Sequence, residues 1–156
     1  MRIHLIAVGT RMPAWVTEAY HEYARRLPRE CTLQLVEIPL SKRRKSQTPE
    51  QAADEEGRQM LAAIPKDCTV VALDVPGQSW STQMLAGRLQ DWLGSGRDVA
   101  LLVGGPDGLS AGCLARADLK WSLSELTYPH PLVRVILSEQ LYRAWTINAG
   151  HPYHRS

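Results

Sequence analysis

Two short apolar runs, residues 69–75 (TVVALDV) and 98–103 (DVALLV), limit what this chain can fold into more than any other feature. Neither alternates apolar with polar residues, so a strand made from either has no face to offer water. Such strands are stable where helices cover both faces of a sheet, which is the situation of parallel strands joined by helical crossovers. The segment between them supplies a crossover of the right kind. Residues 81–93 carry Met84, Leu85, Leu89, Trp92 and Leu93 at helical spacing, and Gly94-Ser95-Gly96 ends the run.

The rest of the chain continues the alternation. Arg2–Val8 reads as a strand, residues 13–27 as a helix with Trp15, Ala19, Tyr23 and Leu27 on its inner face, and Thr32–Ile38 as a strand of period two. Thr48-Pro49-Glu50-Gln51 is a helix start, with a capping threonine, proline at the first position and glutamine three residues past the cap. That helix is expected to run to about Ala63. Pro76-Gly77 reads as a turn, 110–117 as a short helix, 119–123 as a strand and 131–149 as the longest helix, closed by Gly150. The expectation is a single α/β domain over residues 1–156, a mainly parallel sheet flanked by helices. Ligands of such sheets bind in loops beyond the strand C-termini. Here these are residues 74–79, 104–108 and 124–130.

Several classes of function are excluded. No apolar run approaches the roughly 18 residues of a membrane span, and the apolar stretch after Arg2 is too short for a signal peptide, so the expected location is the cytoplasm. Cys31, Cys68 and Cys113 lie far apart with no CxxC pair, which fits buried thiols in a reducing compartment. Gly104-Gly105-Pro106-Asp107-Gly108 follows a strand but has Pro106 and Leu109 where a dinucleotide fingerprint needs glycine, and no lysine for a P-loop. Gly77-Gln78-Ser79-Trp80-Ser81 lacks the closing glycine of a nucleophile elbow. His151 and His154 have no third ligand in view, so no metal is expected.

Net charge is only +2, yet its distribution is uneven. Lys42, Arg43, Arg44 and Lys45 form one basic run. Between Leu126 and the C-terminus Arg134, Arg143 and Arg155 face a single acid, Glu139. Such regions attract phosphates, although the basic run also reads as a solvated loop and Arg143 as a partner of Glu139 one turn back. The glycine pair is either a ligand cradle or a tight turn. The stiff stretch 122–131, with Pro129 and Pro131, either holds a ligand through main-chain groups or simply leads into the last helix, with His130 an ordinary first residue.

GGPDGLS, followed by WSLSELTYPHPLVRVILSEQLYRAWTINAGHPYHR, closely resembles the small SPOUT methyltransferases. The MRIHLIAVGTRMP opening, the VALDVPG strand and the KRRK loop are similar to that family as well, so the likeness spans the chain. The resemblance implies a deep trefoil knot within about residues 70–156 and a homodimer. It implies methyl transfer from S-adenosylmethionine to N3 of a pseudouridine in large-subunit (23S) ribosomal RNA, in the stem-loop that faces the small subunit. Cofactor contacts then fall on Leu73, Gly104, Gly105, Leu123, Ser124, Glu125, Leu126, Thr127 and Tyr128. The HPYHR tail of one subunit is expected to cover the cofactor loop of its partner. His154 and Arg155 would assist proton loss from N3, Tyr153 would stack on or hydrogen-bond the base, and His130 is a second candidate proton acceptor. Lys42, Arg43, Arg44, Lys45, Arg134 and Arg143 would contact rRNA phosphates on the ribosome. The rival classes are a non-catalytic RNA-binding or ribosome-associated factor, and a methyltransferase acting on another RNA base.

Overall fold

The structure, a computed structural model, describes residues 1–42 and 45–155. In chain order the elements are β1 (Arg2–Val8), α1 (Ala14–Ala24), β2 (Thr32–Ile38), α2 (Pro49–Ala63), β3 (Thr69–Ser79), α3 (Thr82–Ser95), β4 (Val99–Val103), α4 (Ala111–Arg116), β5 (Leu119–Ser122) and α5 (His130–Ala149), with a 3-10 turn at Pro152–Arg155. The five strands form one sheet in the order β2-β1-β4-β3-β5, and every pairing is parallel. All strand C-termini therefore open on the same edge.

β4 is the centre of this sheet, and all five of its residues are buried. Successive residues enter opposite cores, as a period-two backbone requires. Val99, Leu101 and Val103 join Ile3, Leu5 and Ala7 of β1 in a core closed by Tyr20, Leu85, Leu89, Trp92, Leu137 and Leu141 from α1, α3 and α5. Ala100 and Leu102 join Ile6 and Val8 in the core under α2 and α4, with Met60, Cys68 and Cys113. The three cysteines are free and buried, and burial pushes the Cys31 thiol up to about 11.

Three helices, α2, α3 and α4, begin where side chains cap them. Thr48 and Gln51 make the reciprocal capping box of α2, Ser81 accepts from the Met84 amide, and Ser110 from the Cys113 amide. Each such cap stabilises its helix by about 1 kcal/mol. Gly96 ends α3 in the left-handed region at φ 71°.

Three sequence expectations need correction. The inner face of α1 is set by Val16 and Tyr20, one position on from the expected row, and Trp15 stands 57% exposed. One residue is 100° of helix rotation, enough to turn an indole from core to solvent. Met84 likewise faces outward, whereas Leu85, Ala86, Leu89 and Trp92 pack inward. Pro76-Gly77 is not a turn that ends β3. The strand continues to Ser79 through a bulge, since Leu73 and Gln78 both pair with Trp121. Glycine is required there, because a Cβ on Gly77 would lie 2.8 Å from the Lys120 main chain.

Candidate functional site

The ends of β3, β4 and β5, with the first turn of α5, enclose a cleft of about 480 Å³, within the size range of small-molecule sites. β3 contributes Leu73, Asp74 and Val75; the loop after β4 contributes Gly104, Gly105, Pro106, Gly108 and Leu109. β5 and its loop add Trp121, Leu123, Ser124, Leu126, Thr127, Tyr128 and Pro129, and α5 adds His130 and Val133. Eight of the nine residues expected to touch a cofactor thus surround one space; Glu125 is exposed and lies outside the lining. Asp74 and Val75 fall in the expected strand-end loop 74–79, whereas Val103, Leu109, Trp121 and Val133 lie outside all three expected loops. Val133 was the most findable, one turn along the helix from His130.

The glycine pair forms a tight turn on the cleft wall. A Cβ on Gly104 would sit 2.5 Å from the Gly108 carbonyl carbon, and one on Gly105 would sit 2.9 Å from Val8. The Gly108 amide donates to the Gly105 carbonyl at 3.0 Å, with Gly108 at φ 77°. The turn is tight because backbone crosses backbone, and that crossing brings main-chain groups to the cleft wall. The opposite loop is equally fixed. The Ser122 hydroxyl donates to the Ser124 carbonyl at 3.1 Å, and the Ser124 hydroxyl accepts from the Leu126 amide at 3.0 Å. At the rim Leu126 and Val75 expose apolar side chains.

Two polar atoms of lining residues, Trp121 Nε1 and His130 Nδ1, are buried with no hydrogen-bond partner among the described residues. Burial, and then the neighbouring Arg134 guanidinium, hold His130 below the usual histidine range; Glu56 acts weakly the other way. The ring is therefore neutral at pH 7 and able to accept a proton.

Arg134 does not face a polyanion. It is 1% exposed, and its Nη1 donates to Glu37 at 2.7 Å while Nη2 donates to the Gly9 and Val8 carbonyls at 2.6 and 3.3 Å. The phosphate contact expected of it is corrected on this ground: the guanidinium is consumed inside the protein. For Arg143 the ion-pair alternative is the one realised. Nη2 lies 2.6 Å from Glu139, and the guanidinium covers the Tyr153 ring at 5.0 Å. Lys42 and Lys45 are exposed beyond β2, on the sheet edge that also carries the cleft; Arg43 and Arg44 lie outside the described residues. Leu40, just before this run, reaches the position that a Cβ on Gly105 would occupy, to within 3.4 Å. Leu40 is thus a neighbour of the glycine turn.

The tail folds on its own helix. The Tyr153 hydroxyl donates to Glu139 at 3.1 Å, and its ring packs 4.7 Å from that of Tyr142. Burial and the Glu139 carboxylate push the Tyr153 phenol up to about 12, so it stays protonated at neutral pH. His154 is half-buried and Arg155 is exposed. From His130 to Glu139 is about 14 Å along the helix axis and about half a turn around it. The tail and the cleft of one chain therefore lie on opposite faces of α5. Among the described residues no cluster of three or more His, Cys, Asp or Glu could hold a metal ion, and no helix is long and apolar enough to cross a membrane.

A family model described as "Predicted SPOUT methyltransferase" matches residues 1–154. The chain belongs to the SPOUT methyltransferase family and is a methyltransferase. Among individual relatives, the ribosomal RNA large subunit methyltransferase H of Thioalkalivibrio sulfidiphilus (strain HL-EbGR7) is 67% identical over 155 residues, covering 99% of each chain. The protein of the same name from Alkalilimnicola ehrlichii (strain ATCC BAA-1101 / DSM 17681 / MLHE-1) is 62% identical over 156 residues, covering 100% of both. The solved structure of a probable methylase family protein from Haemophilus influenzae Rd KW20 superposes with a TM-score of 0.56 at 12% identity, over 97% of this chain and 69% of that one. That likeness is one of fold.

Proposed function

We propose that this chain transfers a methyl group from S-adenosylmethionine to N3 of a pseudouridine in large-subunit (23S) ribosomal RNA, acting on assembled ribosomes in the cytoplasm. Its full-length identity to relatives named for that class of substrate carries the reading. The site fits such a donor. A largely apolar cleft with main-chain groups on two loops suits a ligand with an apolar body and a few polar edges. Bound there, the donor supplies a methyl already activated on a sulfonium.

The chain's own part is alignment and proton removal. The rigid loops would orient the donor for attack, and alignment of this kind is a large share of catalysis. His130, neutral on the cleft wall, would take the N3 proton. Tyr153 stays protonated at neutral pH, which suits stacking or donation and not proton removal. His154 and Arg155 cannot serve their own cleft from the far face of α5. The reading therefore has two copies, each tail completing the partner's site, with the Arg155 cation stabilising negative charge developing on the base. The trefoil threading of residues 70–156 belongs to the same reading.

The test supplies labelled S-adenosylmethionine with isolated subunits or with assembled ribosomes, and maps the modified base. Label at N3 of a pseudouridine in assembled ribosomes is expected. Label on another base would assign a different specificity, and donor binding without transfer would indicate a non-catalytic factor.

A further inference from the structure

Arg134 heads the fully buried large side chains of this protein. A buried cation is costly unless it is paired and hydrogen-bonded. This one is paired with Glu37 of β2 and bonded to the carbonyls at the end of β1, while its Nε has no partner. It thereby pins three elements at the sheet edge where the cleft opens.

One turn earlier on α5 stands His130, a lining residue whose Nδ1 is also buried without a partner. Among the described residues no hydrogen bond commits the ring to one tautomer. Both side chains lie close to Gly9. Its φ is 113°, and a Cβ there would lie 3.0 Å from His130 Cε1 and 3.5 Å from Arg134 Nη2. The glycine lets the imidazole lie against the end of β1, beside the guanidinium. The charged groups acting on His130 are Arg134 from its own helix and Glu56 from α2, and the Arg134 effect is the larger.

Resting on the function proposed above, we infer that Arg134 is a positioning residue for methyl transfer. Tied to Glu37, Val8 and Gly9, it fixes His130 on the cleft wall as a neutral imidazole that receives the proton leaving the substrate nitrogen. The step balances. The N–H proton passes to the imidazole, the freed electron pair on nitrogen takes the methyl, and the pair of the broken carbon–sulfur bond stays on sulfur. The imidazolium then loses its proton to water.

The test has two arms on the full-length protein. The first follows the histidine ring signals by NMR across pH without any cofactor, assigning His130 by its loss in H130N. The second measures the pH dependence of single-turnover methylation of ribosomes. R134Q removes the charge, and is expected to raise the His130 midpoint and the acidic limb of the rate together. A rise of one pH unit lowers the rate on that limb about tenfold. E37Q leaves the guanidinium uncompensated and is expected to move both the opposite way. R134K, which keeps the charge, is expected to return both toward wild type. If R134Q fails to fold, E37Q decides alone, since Glu37 is partly solvent-exposed and its loss leaves both cores filled. Folded R134Q or E37Q with an unmoved His130 midpoint and limb, beside a wild type that methylates, overturns the Arg134 assignment only. A wild type that transfers no methyl to ribosomal RNA overturns the function and the proton role together.

Discussion

The cleft and the tail differ in how they are held, although the proposed chemistry draws on both. The cleft is built from loops that the sheet forces into place. Gly104 and Gly108 touch backbone to backbone, and the serine bonds and prolines stiffen the facing loop. The tail is four residues in a 3-10 turn, held mainly through Tyr153 on the Glu139–Arg143 pair. One region is organised by the core; the other is a surface attachment that ordinary side-chain contacts retain. On the function proposed above, the site would then have a half fixed by the core and a half held by surface contacts alone.

The sharpest way to break this contrast is Arg155→Ala. Its side chain is exposed and carries no part of the fold, so dimerisation and stability are expected to persist while turnover on ribosomes falls by about 10²–10³-fold, as for loss of one preorganised charge-stabilising group. Sedimentation beside labelled transfer checks both, and full turnover in an intact dimer removes Arg155 from the mechanism. Gly104→Ala tests the half fixed by the core. A methyl 2.5 Å from the Gly108 main chain must displace the turn, and calorimetry is expected to show donor affinity reduced by at least about tenfold, near 1.4 kcal/mol. Tyr153→Phe tests the attachment. It deletes one hydrogen bond to a carboxylate, and is expected to cost global stability less than about 1 kcal/mol while accelerating proteolysis of the last residues.

A pH experiment comes next in size. The His130 pKa is depressed in the folded chain, so below the ordinary histidine value of 6.5 the unfolded chain takes up the proton more readily. Stability is expected to fall as pH drops from about 6.5 toward the folded value and then level off for this group. His130→Asn is expected to flatten that window in denaturant titrations at stepped pH. Smallest is Lys42→Gln with Lys45→Gln. Each lost phosphate contact is expected to reduce the slope of log affinity against log salt by less than about 1, and an unchanged slope assigns the loop to solvent.

The sheet was legible because its constraint is blunt. A strand apolar on both faces has one kind of home, and residues 69–75 and 98–103 found it at the centre. Helix faces were less so. On α1 the apolar residues are spread widely enough that Trp15 and Val16 both look like inward positions, and only packing against α5 chooses between them. The bulge in β3 was invisible because Pro-Gly signals a turn wherever neighbouring strands are unknown. Arg134 was misread for a related reason. A charge at the start of a helix reads as surface until the topology brings Glu37 and two free carbonyls to meet it. The cleft loops were placed by the general rule for strand ends together with the family resemblance, while Trp121, a strand residue, had no local mark to separate lining from core.

The pairing of β1 with β4 aligns Ile3 with Val99, so the first strand to leave the ribosome waits for one that is nearly a hundred residues younger. At a synthesis rate of about 5–20 residues per second that interval is roughly 5–20 seconds. During it β1 can pair with β2 alone, and one long side of an apolar strand has no neighbour. A nascent chain of this design exposes an apolar strand side that factors shielding unfinished chains would cover until the middle of the sheet arrives.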